Sequence, residues 1–65
     1  MEVLINGSPY SIENNCSVNT LIKELELNGK YAIEINQYII PRSQYNSKKI
    51  NSGDKVEIVQ AIGGG

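Results

Sequence analysis

The first pattern along the chain has a period of two. Met1, Val3 and Ile5 alternate with Glu2, Leu4 and Asn6, the spacing of a strand with one covered face. Asn6-Gly7 follows, two residues that tolerate positive φ, as a tight hairpin turn demands. Tyr10 and Ile12 belong to the return strand. Pro9, which lacks an N–H, puts that strand at a sheet edge. The period then changes. Val18, Leu21, Ile22 and Leu25 fall at i, i+3, i+4 and i+7, which gathers them on one helix face. Ser17 is placed to cap the first turn, although Thr20 three positions on leaves a reciprocal capping box incomplete. Asn28-Gly29 supplies a left-handed stop, so a helix is expected over 18–27.

Alternation returns at Tyr31, Ile33 and Ile35, with Glu34 on the other side. A turn around Asn36-Gln37 leads into a short strand, Tyr38-Ile39-Ile40, closed by Pro41. "RSQYNSKK" has turn composition, with Tyr45 as its one anchor and room for a single helical turn. "NSGD" is a second clear turn signal. "KVEIVQ" reads as the last strand, with Val56 and Ile58 inward and Lys55 and Glu57 outward. The order β-β-α-β-β-β predicts an α+β domain: a mixed sheet of four to five strands with one main helix packed across one face. Its simplest arrangement sets the first and last strands side by side, parallel, at the centre. That is the ubiquitin-like β-grasp. Residues 1–62 are expected to form it, with residues 63–65 as a flexible glycine tail.

Composition narrows what such a domain can do. The chain has 65 residues, of which 40% are hydrophobic, and its only aromatic residues are four tyrosines. A domain of this size buries only about 60% of its unfolded surface, which leaves little from which to build an enclosed active site. The chain contains no histidine and one cysteine. A zinc site, a four-thiolate iron–sulfur cluster and a Ser-His or Cys-His nucleophile pair are therefore not expected. Cys16 has no partner for an internal disulfide and reads as a small residue near the helix start, against the alternative of a reactive thiol. The net charge is −1 and the pI about 5.2. Lysines and one arginine are scattered, with Lys48-Lys49 the one adjacent pair, so no nucleic-acid footprint is expected. "MEVLING" lacks a basic leader region and its apolar run is too short for a membrane span. No membrane association and a cytoplasmic location are the expectation.

The chain ends "VEIVQAIGGG", three glycines directly after the last strand. A frayed terminus is the plain reading of such an ending. Three features taken together suggest more. "INQYIIPRSQY", "SGDKVEIVQAIGGG" and the Asn-Gly hairpin near the start closely resemble the sulfur carrier family of bacterial thiamine biosynthesis, whose members are ubiquitin-like β-grasp domains ending in Gly-Gly. The family's "INxxxxPR" pattern falls on Ile35, Asn36, Pro41 and Arg42, and its aromatic three residues later is Tyr45. Its Gly-Asp turn is Gly53-Asp54, and its final pair is Gly64 and Gly65. Gly63 stands where an alanine is often found, which keeps the tail slim.

The resemblance implies a carrier rather than an enzyme. A ubiquitin-activating-like adenylyltransferase would use ATP to adenylate the Gly65 carboxylate, with no cofactor bound by the carrier itself. A sulfur donor such as a cysteine desulfurase would supply the sulfur of a thiocarboxylate, and thiazole synthase would accept it. Glycine suits this chemistry. It has no Cβ to obstruct the carbonyl carbon and reaches backbone angles closed to other residues, and Gly63, Gly64 and Gly65 extend at most roughly 10 Å. Val59, Ile62 and Ile39 are candidates for an apolar docking patch, with Ile39 or Ile40 equally suited to completing the core. Arg42 is a candidate for pairing with an acidic partner surface, against the alternative of a solvated arginine. A ubiquitin-like modifier or binding module, and a sulfur carrier for another pathway such as molybdopterin synthesis, are the competing readings.

Overall fold

The computed structural model describes residues 1–60, and five strands and one helix appear there in the expected order. The proposed domain end at Ile62 and the glycine tail fall outside the described residues. β1 (Glu2–Ile5) and β2 (Ser8–Ser11) form the opening hairpin, paired antiparallel from Glu2 opposite Ser11 to Ile5 opposite Ser8. Between them Asn6 and Gly7 both take left-handed backbone, with φ of 49° and 84°. Positive φ at both positions is what a type I′ turn requires, and the twist of that turn matches the strands. α1 (Val18–Glu24), β3 (Tyr31–Ile35) and β4 (Tyr38–Ile39) follow, then a 3-10 turn over Arg42–Gln44 and finally β5 (Lys55–Gln60). The sheet order is β2-β1-β5-β3-β4. β5 is central, parallel to β1 and antiparallel to β3, and β2 is an outer strand as Pro9 requires.

α1 starts where the sequence indicates. The Ser17 hydroxyl accepts a hydrogen bond from the Thr20 N–H at 3.1 Å, satisfying one of the free donors of the first turn. The helix ends earlier than the expected residue 27, at Glu24. The stop is not Asn28-Gly29 but Glu26, which turns left-handed at φ 55°. Its N–H donates to the Lys23 carbonyl at 3.1 Å, and the Leu27 N–H donates to the Ile22 carbonyl, also at 3.1 Å. This is a Schellman closure with glutamate where glycine is usual. A left-handed non-glycine residue costs about 1–2 kcal/mol. The turn offsets that cost by satisfying two helix carbonyls and by bringing Leu27 back to pack against the core.

The stripe read from the sequence is the stripe that is buried. Val18, Leu21 and Ile22 of α1 face Val3, Ile33, Ile35 and Val56 of the sheet. Ile40 and Tyr45 close one end of this core, so of the two isoleucines that follow Tyr38, Ile40 is the one that faces inward. Ile50, which the sequence reading left unassigned among turn residues, is also fully buried. It sits there because its N–H donates to the Cys16 carbonyl and the Val18 N–H donates to the Lys48 carbonyl, both at 2.9 Å, tying the 45–50 segment to the start of α1. Cys16 is itself buried. Burial pushes its thiol pKa up, with the Glu24 charge adding to the shift. A thiol held in its neutral form is a poor nucleophile, which fits the packing role.

Candidate functional site

The candidate site is organised around β5, the last described strand. Its alternation sends Val56 and Ile58 toward α1 and Lys55, Glu57 and Val59 to the open face of the sheet. The register extends that open face sideways. Ala32 of β3 stands opposite Val59, and Glu34 stands opposite both Glu57 of β5 and Ile39 of β4. Leu4 of β1 lies beside Lys55. Val59 is 58% exposed and Ile39 71% exposed, although β-branched residues are ordinarily covered. The structure thus puts two of the candidate docking residues, Val59 and Ile39, on one uncovered surface. Ile62 and the modified-residue candidates Gly63, Gly64 and Gly65 lie outside the described residues.

The same face carries a charge arrangement that favours neither strand. Glu34 and Glu57 are directly opposed across β3 and β5, and like charges in that position are destabilising.

Arg42 is elsewhere. Its guanidinium carbon sits 5.4 Å from the centroid of the Tyr31 ring, and Tyr31 in turn stacks on Tyr45 with centroids 6.3 Å apart and planes 15° from parallel. Tyr31 shares the inner side of β3 with Ile33 and Ile35, so Arg42 is not part of the surface that holds Val59 and Ile39. A cation over the outer part of such a half-buried ring contributes about 0.5–1 kcal/mol and fixes where the charge is displayed. Because Tyr31 pairs with Gln60, that position is beside the last described residue of β5.

Two asparagines hold β5 in place. Asn36 follows β3 and takes φ 52°, and its N–H donates to the Lys55 carbonyl at 2.8 Å. Its side-chain Oδ1 accepts from the Lys55 N–H at 3.0 Å, while its Nδ2 donates to Asp54 Oδ1 at 3.1 Å. The other Asp54 oxygen accepts from the Asn51 N–H at 2.8 Å. Asp54 is buried, and these partners are what a buried carboxylate requires. Asn6 grips the strand further along, through Ile58. The sequence marked Asn6, Asn36 and Asp54 as turn residues; their side-chain roles went unread. The available signal was that asparagine opens both two-residue hairpin turns, since a backbone turn alone would accept glycine there.

Among the described residues, no three side chains of the metal-binding types come together, and no helix is long and apolar enough to cross a membrane.

Comparison with known proteins agrees with this geometry. The model of the ThiS family matches residues 3–65. The sulfur carrier protein ThiS of Escherichia coli is 30% identical over 66 residues, with all of both chains covered. A thiazole synthase of Paramagnetospirillum magneticum is 41% identical over 66 residues, and the whole of this chain spans only 20% of that protein's length. The crystal structure of a thiamine biosynthesis protein (ThiS) from Geobacter metallireducens superposes with a TM-score of 0.86 at 25% identity, covering both chains completely.

Proposed function

The chain belongs to the ThiS family, and from that premise we propose that it carries sulfur for thiazole formation in thiamine biosynthesis, bound as a thiocarboxylate at Gly65. The observation that carries this reading is the extent of the family match, which runs through residue 65 and therefore includes the glycines. Full-length coverage of the Escherichia coli sulfur carrier supports it.

The chemistry follows from what a carboxylate lacks. Its charge is delocalised and it offers no good leaving group, so a sulfur nucleophile does not attack it. An adenylating partner transfers AMP from ATP to the Gly65 carboxylate and releases pyrophosphate. The resulting acyl adenylate has AMP as its leaving group. A persulfide on a sulfur donor, such as a cysteine desulfurase or a protein loaded by one, displaces AMP and forms an acyl disulfide. Attack by a second thiol on the sulfur of the donor cysteine then leaves the thiocarboxylate on Gly65 and a disulfide on the donor side. The terminal sulfur is delivered to thiazole synthase. Support for that last partner comes from the thiazole synthase of Paramagnetospirillum magneticum, which includes a stretch similar to this whole chain.

Each of these steps takes place in another protein's active site, so the domain contributes docking and presentation rather than catalysis. Val59 and Ile39, exposed on the open sheet face, are the described docking residues, with Ile62 beyond them in sequence. Arg42, displayed on Tyr31, serves encounter with an acidic partner surface, an effect on association rate more than on affinity.

Intact-mass measurement tests the reading. Incubation with ATP, the adenylating partner and a sulfur donor is expected to add the mass of one oxygen exchanged for sulfur, and Gly65→Val is expected to abolish that gain. Transfer that survives Gly65→Val, or ladders of the chain joined to other proteins in place of the mass gain, would overturn it.

A further inference from the structure

Asparagine followed by glycine occurs twice in the chain, at Asn6-Gly7 and at Asn28-Gly29. The pair is reactive as well as turn-forming. The backbone nitrogen that follows an asparagine can attack that asparagine's own side-chain amide carbon, and glycine at the second position has no Cβ to obstruct the approach. Both asparagines are exposed, so access to water does not distinguish them. What their side chains hold does. The Asn6 amide is engaged at both of its polar atoms: Oδ1 accepts from the Ile58 N–H at 2.7 Å, and Nδ2 donates to the Ile58 carbonyl at 3.3 Å. Attack on the carbon between them would make it tetrahedral and expel Nδ2. Both bonds to β5 would have to be given up.

Asn28 lies in the connection from α1 to β3. Among the described residues its side chain enters no hydrogen bond, and the Gly29 N–H donates to no carbonyl. Gly29 takes φ 75°, and a Cβ placed on it would meet nothing within 4 Å. The attacking nitrogen therefore stands in open space, and the amide it would attack is free to rotate toward it.

We propose that Asn28 is a site of spontaneous modification, at which water replaces the side-chain amide by way of a cyclic imide formed with Gly29, and that Asn6 is protected from the same reaction by its bonds to Ile58. The Gly29 nitrogen loses its proton to hydroxide, and its electron pair forms a bond to Asn28 Cγ. The bond from Cγ to Nδ2 then breaks, and that nitrogen takes up a proton from water and leaves as ammonia. Water adds to one of the two ring carbonyls and opens the ring. One opening gives aspartate; the other gives isoaspartate, in which the backbone runs through the former side chain. In sum, one amide and one water become one carboxylate and one ammonium ion, with no oxidation or reduction. The reaction is independent of the carrier role, since it requires only the chain and water.

Peptide mapping by mass spectrometry tests both halves of the proposal. The full chain is incubated in mildly alkaline buffer, once folded and once unfolded in guanidinium chloride, and the change from amide to acid is followed at each asparagine. In the folded chain the change at residue 28 is expected to be at least about tenfold faster than at residue 6, where two hydrogen bonds must first be given up, and isoaspartate is expected among its products. In the unfolded chain the two rates are expected to converge, because the dipeptides are the same and only the fold separates them. Equal rates in the folded chain, or a faster change at residue 6, would overturn the proposal. So would a difference between the sites that persists undiminished on unfolding, or a residue 28 that the folded chain protects as well as it protects residue 6.

Discussion

Ile33 and Glu34 are neighbours on β3 and live in different solvents. Ile33 is 1% exposed beneath α1, whereas Glu34 lies on the open face opposite Glu57. The same division separates Val56 from Val59 on β5: one valine is 1% exposed and the other 58%. Burial of an aliphatic side chain contributes about 1.5–3 kcal/mol, so the covered face supplies the fold. The open face gives up that gain at Val59 and Ile39 and accepts like charges across two strands. A surface that forgoes stability in this way is left uncovered, and the proposed carrier role assigns docking to it while the covered face holds the fold.

Substitutions can break or sharpen that division. The largest effect belongs to the covered face. Ile33→Ala is expected to cost about 2–5 kcal/mol, which in a domain of this size lowers Tm by at least roughly 8 °C, measurable by thermal unfolding. On the open face the sign reverses. Glu57→Gln removes one of two opposed charges and is expected to raise stability by about 0.2–1 kcal/mol. The gain should shrink as salt screens the pair, so denaturant titrations at low and high ionic strength check it. The smallest stability change belongs to Val59→Ser, expected within about 0.5 kcal/mol. Its consequence should be seen in transfer, with KM for the adenylating partner raised and Tm nearly unchanged. A loss of Tm comparable to that of Ile33→Ala would show that Val59 belongs to the core and not to a docking surface.

Most of the architecture was legible from periodicity because it depends on local contrasts. Val18, Leu21, Ile22 and Leu25 announced the helix face, and Pro9 announced the outer strand. The misreadings share a cause. Asn28-Gly29 offers a local left-handed stop and so points to a helix through residue 27; the stop at Glu26 is imposed by Leu27 packing on the core, a demand that arises only once the sheet is present. Ile50 went unassigned because a lone isoleucine between polar runs has no period, and its burial depends on backbone bonds to the segment around Cys16. At the candidate site, the exposure of Val59 beside the chain end was anticipated. The choice between Ile39 and Ile40 was not. It was fixed when Ile39 took its place opposite Glu34 on the open face and Ile40 turned under the sheet.

The sequence by itself determined the elements and the central and parallel placing of the first and last strands. These follow from side-chain size, backbone freedom and the alternation of polar and apolar positions, which act over a few residues. Only the tertiary structure decided which side chains hold β5. Asn6 meets Ile58 and Asn36 meets Lys55 and Asp54, partners 18 to 52 positions apart. A hydrogen bond requires its atoms within about 3 Å, and for residues so distant in the chain nothing short of the assembled sheet brings them there.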